Sequence, residues 1–313
     1  MKILFIQLGR IGDMILASPS FGLLKNKFPD IQIDVLASRH NSGIIKNNPN
    51  IDNIIILQKS PKKIINFIFR LRKQYYDYYL DPKDHYSREG ALIACLVRAK
   101  NKIYYNHNLI ETETRHYSDI YTSALSIFNI HLDKMLIPEL FTELASDIYV
   151  DNFFKENNLQ KPIVLNISAG EPYRMLDSEK WSEFLNRNKD FRFVISFSPE
   201  HKVLAETIIN STQNSLSFLS RSFDDAISLI KSARMLISPD TSLVHVAAAF
   251  NIDLLGLYSG LEENYLRFEP RSDRKEIIRS SPGSWGIASI TVDEIDAGFR
   301  RLLNADKVTL YQV

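Results

Sequence analysis

The sequence predicts an α/β protein built from two open parallel-sheet domains, and three observations carry that reading. With 313 residues the chain suits two domains of about 150 residues, each able to bury its own core. Strand-like and helix-like patterns alternate from the first residues onward, which is the rhythm of βαβ units. The rhythm starts afresh in the second half, after a polar NNLQKP stretch.

KILFIQL reads as the first buried strand and is followed by a Gly-containing turn and a helical stretch to Lys27. Pro19 falls inside that stretch and should kink or restart the helix, since proline lacks the N–H that a helix interior needs. Pro29 closes the unit. IQIDVLAS and IDNIIIL are the next strands. Lys62–Gln74 reads as a helix leading into the strand YDYYLD, and Glu89–Ala99 as a helix before KIYYN. A helical pattern from Phe141 to Asn158 reaches the linker, so domains of 1–155 and 156–290 are expected. In the second domain IVLNIS, FRFVISF, SLSFL, MLISP and DLLGLY alternate with helices around Trp181–Asn186, Val203–Ile209, Phe223–Ser232 and onward from Thr241. Residues 291–313 carry a last amphipathic helix, with Ile295, Phe299, Leu302 and Leu303 at helical spacing.

Apolar residues make up 45% of the chain and charged residues 24%, a balance that folds rather than stays disordered. A formal charge of +1 speaks against a protein that coats nucleic acid, where a strong basic excess supplies the binding. Cys95 is the single cysteine, so no intramolecular disulfide or cysteine-rich zinc site can form, and a reducing compartment fits. The apolar start is broken by Arg10 and Asp13 too early for a signal-peptide core. No run approaches the ~18 apolar residues of a spanning helix.

Four stretches could carry chemistry. In the first βα turn, L-G-R-I-G-D, Gly9 and Gly12 allow a sharp turn and close approach to a ligand. A nicotinamide-dependent dehydrogenase would want G-x-G-x-x-G here and an acid ending the second strand. The turn is only G-x-x-G, and that strand ends in Ala37, Ser38 and Arg39. Asp13 starts the following helix, where spacing alone fits both an N-cap and a catalytic base.

The second stretch, I-S-P-D-T-S-L-V-H-V-A-A-A-F, reads as strand, tight turn and helix. The amides of Ser242, Leu243 and Val244 would face an anion at the positive end of the helix dipole. Thr241 and His245 stand four apart, on one helix face, to grip a phosphate or else to cap and fill space. Asp240 fits the turn as a cap. Third, Ser168, Ala169 and Gly170 form a small-residue turn after IVLNIS, and Arg174 follows. A helix dipole supplies only about half a charge, so a diphosphate leaving group calls for one further cation such as Arg174; a solvated surface arginine is the plainer alternative. Fourth, Lys59, Lys62, Lys63, Arg70, Arg72 and Lys73 flank Ile64, Ile65, Phe67, Ile68 and Leu71. Such a helix can lie on an anionic membrane, or its apolar side can pack on the sheet.

Taken together, K-I-L-F-I-Q-L-G-R-I-G-D-M-I-L-A-S-P-S, R-L-R-K-Q-Y-Y-D-Y-Y-L-D, A-K-N-K-I-Y and, most specifically, S-P-D-T-S-L-V-H-V-A-A-A-F-N-I resemble the ADP-heptose:lipopolysaccharide heptosyltransferases, family nine of the glycosyltransferases. The resemblance implies a GT-B architecture: two Rossmann-like domains facing a cleft, acceptor mainly on the first, nucleotide sugar mainly on the second, with the last helix crossing back to the first. It makes Asp13 the catalytic base and Arg174 the contact to the diphosphate. Thr241, Ser242, Leu243 and His245 become the donor phosphate site, with Ser168, Gly170 and Asp240 beside them; Arg10, Gly12, Lys62 and Lys63 fall on the acceptor side. Two departures stand out, Ser242 for a usual glycine and Leu176 where many relatives carry tryptophan.

The implied reaction is inverting transfer of a heptose from ADP-heptose to a lipopolysaccharide or lipooligosaccharide acceptor, with no metal and no cofactor. The implied setting is the cytoplasm, with peripheral contact at the inner membrane, an anionic glycolipid as partner and no nucleic acid. The alternatives are another nucleotide sugar, a protein acceptor, or a catalytically silent nucleotide-sugar-binding protein. A nucleotide-sugar epimerase of the same architecture is a more distant one.

Overall fold

The computed structural model describes residues 1–57, 68–83, 87–104, 116–131 and 135–310. By its contacts the chain forms two compact units, Met1–Phe141 with Leu266–Glu269, and Thr142–Tyr265 with Pro270–Val313.

In the first unit β1 (Lys2–Gln7), β2 (Gln32–Ser38), β3 (Asn53–Leu57), β4 (Tyr75–Asp81) and β5 (Arg98–Tyr104) form a fully parallel sheet in the order β3-β2-β1-β4-β5. β1 is central and buried from Ile3 onward, which is why it reads as a continuous apolar run rather than an alternating one. The helical stretch after it is two helices, α1 (Ile11–Ala17) and α2 (Pro19–Lys27), with Pro19 at the first position of α2. Its missing N–H costs nothing at a helix start, so the restart alternative holds. A helix α3 (68–73) and α4 (Arg88–Leu96) pack on one cluster of Leu4, Ile6, Tyr76 and Tyr79 through Leu71, Ile93, Ala94 and Val97. α5 (Tyr117–Ser123) completes the unit.

The second unit runs α6 (Leu144–Glu156), β6 (Ile163–Asn166), α7 (Ser178–Arg187), β7 (Phe193–Ser196), α8 (Lys202–Asn210), β8 (Ser215–Phe218), α9 (Phe223–Lys231), β9 (Met235–Pro239), α10 (Ser242–Ala249), β10 (Asp253–Tyr258), the start of α11 (Glu262–Phe268), whose last three residues belong to the first unit, β11 (Lys275–Arg279) and α12 (Val292–Leu310). Its parallel sheet has the order β11-β10-β9-β6-β7-β8. Strand order reverses between β6 and β9, and at such a switch point a doubly wound sheet opens a crevice for a ligand. Trp181, Phe184, Phe193 and Phe299 centre the core, with Phe184 and Phe299 edge to face at 5.5 Å, a geometry that aromatic quadrupoles favour.

Two helices bear on the domain limits. The unit boundary falls at Phe141/Thr142 rather than at 155/156, because α6 packs on α9 and Asp147 joins Ser228 and Lys231 there at 2.8 and 3.0 Å. α12 packs on β10, β11 and α7 of the second unit, burying Ile295, Phe299 and Leu302. α5, α11 and β11 went unpredicted; KEIIR is a short edge strand with charges at three of five positions. Among the described residues no helix is long and apolar enough to cross a membrane.

Candidate functional site

The predicted residues gather at the carboxyl ends of the two sheets, where loops are free to carry function. In the first unit the chain leaves β1 through Leu8, Gly9 and Arg10 into α1. Asp13 is the third residue of that helix, not its N-cap, and its Oδ2 reaches back to accept from the Arg10 N–H at 2.7 Å. This is the carboxylate half of a capping box. The carboxylate lies directly over Gly9: a Cβ there would stand 2.2 Å from Asp13 Oδ2. Gly9 is thus required by close approach, and the turn holds the carboxylate half-buried at the sheet's end. Arg10 is exposed and Gly12 half-buried beside it.

Two residues that escaped notice in the sequence fix this turn. Gln7 Oε1 accepts from Gly9 N–H at 3.0 Å. Asn41, fully buried after β2, donates from Nδ2 to the carbonyls of Gln7 and Gly9, each at 3.0 Å, while its Oδ1 accepts from Ser38 N–H. No local pattern announces an asparagine 32 residues away as the clamp of a turn. Lys62 and Lys63 lie outside the described residues. Arg70 and Arg72, in α3, are exposed, and Leu71 between them is buried against the sheet. Packing on the sheet and a basic outer face therefore coexist.

In the second unit α10 starts at the switch point. Thr241 is its N-cap and accepts from Leu243 N–H at 3.3 Å, and Val244 N–H bonds the Thr241 carbonyl at 3.3 Å. Two of the three amides expected to face an anion are thus engaged locally, through long bonds; Ser242 N–H has no partner among the described residues. Thr241 and Ser242 remain half-exposed. His245 does not share that exposure. It is 4% exposed, because one turn into α10 the same face already lies in the packed layer.

Arg174 and Asp240 meet. Arg174 ends a short 3₁₀ turn, Pro172–Arg174, and its Nη1 pairs with Asp240 Oδ2 at 3.0 Å. Asp240 therefore does not cap the helix; its carboxylate holds the arginine, with Asn264 Nδ2 donating to the same oxygen at 3.3 Å. Burial pushes the Asp240 carboxyl above its ordinary range, against the lowering pull of Arg174 and Asn264. The alternative of a solvated surface arginine is set aside: the Arg174 side chain is largely enclosed and is paired with the residue that precedes the N-cap of α10.

Asn166, at the end of β6, ties the two strand ends together. Its buried Nδ2 donates to Ser168 O at 3.0 Å, Ser238 Oγ at 2.9 Å and, more weakly, Thr241 Oγ1 at 3.4 Å. Ser168 Oγ accepts from Ser198 N–H at 2.9 Å, so its hydroxyl braces the neighbouring loop. Gly170 is exposed, and a Cβ there would meet nothing within 4 Å, so this glycine is not required by crowding. Leu176, the departure from tryptophan, is buried in the core of the unit.

Comparison with known proteins fits these geometries. Residues 65–285 match the model of glycosyltransferase family 9 (heptosyltransferase). The chain is 23% identical over 290 residues to lipopolysaccharide heptosyltransferase 3 of Escherichia coli, covering 82% of this chain and 83% of that one. Among solved structures, a family 9 glycosyl transferase from Veillonella parvula superposes with a TM-score of 0.83 at 16% identity, over 97% of both chains. The ADP-heptose lipopolysaccharide heptosyltransferase II of E. coli superposes with a TM-score of 0.78 at 18% identity, over 98% of this chain and 100% of that one. The fold they share with the two parallel-sheet units is GT-B.

Proposed function

Since the chain belongs to glycosyltransferase family 9, the heptosyltransferase family, we propose that it transfers a heptose from ADP-heptose to a lipopolysaccharide- or lipooligosaccharide-type acceptor, inverting the anomeric carbon. The observation that carries this reading is the Arg174–Asp240 pair beside the Thr241-capped start of α10, at the switch point of the second sheet. The name of the similar E. coli structure, an ADP-heptose lipopolysaccharide enzyme, supports the choice of donor.

The acceptor hydroxyl oxygen bonds to the anomeric carbon while the bond from that carbon to the diphosphate oxygen breaks. Asp13 takes the hydroxyl proton, and the electron pair leaves with the diphosphate. A carboxylate is a weak base for an alcohol, so the proton moves late, once bonding to an oxocarbenium-like carbon has acidified it. Charge on the leaving diphosphate meets the free N–H groups of Arg174, the Ser242 amide and the dipole of α10. These suffice in place of a metal ion.

A saturable rise in melting temperature with ADP-heptose, in a panel of nucleotide sugars, tests the donor assignment. A ligand at a hundred times its dissociation constant adds about 2.7 kcal/mol of stability. An equal or larger rise with a different nucleotide sugar would replace the donor, and no rise with any would remove the reading. Thr241 and His245 are not equivalent probes in such work: Thr241→Ala removes a cap worth about 1 kcal/mol, whereas His245→Ala opens a buried site.

Gly9→Ala offers a separate check on Asp13. The added methyl collides with a movable carboxylate rather than with backbone, so the fold should hold while Asp13 is displaced. Transfer should fall at least tenfold, with donor affinity unchanged. Normal transfer would mean that the position of this carboxylate is immaterial.

The exposed Arg70 and Arg72, continuing the basic run from Lys62 and Lys63, are assigned to an anionic glycolipid or the membrane surface that holds it. Binding to vesicles containing anionic lipid should weaken as salt shortens the Debye length from about 10 Å at 0.1 M, and should weaken again in Arg70→Glu/Arg72→Glu. Salt-insensitive binding, or none, would leave α3 a sheet-packing helix alone.

A further inference from the structure

The segment Ser280–Ile287, SSPGSWG followed by isoleucine, is fixed at several points. Gly260 N–H donates to Ser284 O at 2.8 Å, Gly283 N–H to Gly260 O at 2.9 Å, and Ile287 N–H to Tyr173 O at 3.0 Å. Gly260 admits no side chain, since a Cβ would stand 1.9 Å from Ser281 O, and Gly283 has a φ of +79°, a region that glycine enters without steric cost. The loop so fastened displays Trp285 at 69% exposure, next to Gly286, which packs on the Tyr173 backbone. Tyr173 is itself 42% exposed, and its ring lies 5.7 Å from the Arg174 guanidinium. Singly exposed apolar residues are ordinary. Here two exposed aromatics stand on segments tied to each other through Ile287 N–H and the Tyr173 carbonyl, one of them adjoining the Arg174 guanidinium.

We infer that Trp285 and Tyr173 form a subsite for the transferred sugar ring of the nucleotide-sugar donor; this rests on the donor reading above. Ring C–H groups carry partial positive charge and settle against the negative face of an aromatic system. In a nucleotide sugar both ends of the diphosphate are bonded to a sugar, so what lies one step from Arg174 is a sugar ring, and the base lies a ribose further. Of the two sugars, ribose suits hydrogen-bonding side chains. Ser198 and His201, bonded to each other at 2.8 Å at the β7 end, flank Ser168 on the other side of Asn166. The β11 loop is left for the sugar at the opposite end of the diphosphate.

The two tryptophans make the test direct, because Trp181 is 0% exposed and Trp285 alone meets the solvent. Acrylamide quenching of intrinsic fluorescence therefore reads Trp285. The nucleotide sugar that stabilises the wild type should shield Trp285, and the matching nucleoside diphosphate should not. Trp285→Ala should lose about tenfold in affinity for the nucleotide sugar with nucleoside diphosphate affinity unchanged, and Trp285→Phe should restore most of it. Equal shielding by both ligands, equal loss for both, or no loss for either would overturn the subsite. A wild type that binds neither ligand would instead overturn the donor reading on which it stands.

Discussion

Asp13→Asn is expected to lower transfer by about 10²–10⁴-fold, the usual contribution of a general base, while leaving donor affinity and stability close to wild type. The reasons lie in the geometry of the turn. The carboxylate accepts the backbone N–H of Arg10 at 2.7 Å, and the amide oxygen of asparagine can accept the same bond. Asparagine also matches aspartate in size, so the close passage over Gly9 is preserved. What the substitution removes is the capacity to take a proton. Donor affinity should hold, because the groups assigned to it belong to the second unit. Melting temperature, donor titration and single-turnover transfer on one preparation separate the outcomes: near-normal transfer refutes the base, and lost transfer with a large melting shift makes Asp13 a helix-start residue only.

Arg174→Ala should reduce turnover by about 10²–10³-fold, the cost of losing one stabiliser of developing negative charge, with a smaller loss of ground-state donor affinity. A second effect follows from Asp240. Removing one partner of a buried pair orphans the other and costs up to about 3–5 kcal/mol, here moderated because Arg174 keeps some solvent contact. The loss should depend on pH. Burial holds the Asp240 carboxyl above its ordinary value, and Arg174 pulls it down only while present. Between the ordinary and the raised value the folded state binds more protons than the unfolded one, so stability falls as pH rises through that window and returns below it. Without Arg174 the upper edge of the window moves higher. The variant should thus lose more stability at neutral than at acidic pH, and Arg174→Ala/Asp240→Asn should lose most of that dependence. Unchanged turnover would place the leaving-group cation elsewhere.

Much of the fold was legible because parallel strands buried on both faces are near-continuous apolar runs: β1, β2, β6, β9 and β10 sit where ILFI, IDVLA, IVLN, LIS and LLGLY do. β11 was not, since an edge strand as short and charged as KEIIR resembles a loop. The packing of α6 and α12 was not legible for a different reason. Amphipathic spacing says that a helix has a face to bury but not which unit buries it, and here α9 decides for α6 and the β10–β11 edge for α12. At the site, Asp13, Arg174 and Thr241 were named from turns that follow strands. The groups that hold them were invisible, because Asn41, Asn166 and Asn264 act across long separations in sequence. Asp240 was read as a cap, yet its partner stands 66 residues earlier. His245 was placed with Thr241 by spacing, which fixes the helix face but not how soon that face passes under the packed layer.

The central claim is that this chain carries a sugar from a nucleotide diphosphate to an acceptor. Single-turnover reaction of the purified protein with ADP-heptose and a lipooligosaccharide acceptor, in the presence of EDTA, tests it most directly. The account predicts that ADP and heptosylated acceptor appear one for one, with the anomeric configuration inverted. Loss of ADP-heptose without acceptor, a requirement for added metal, or tight donor binding with no product would contradict it.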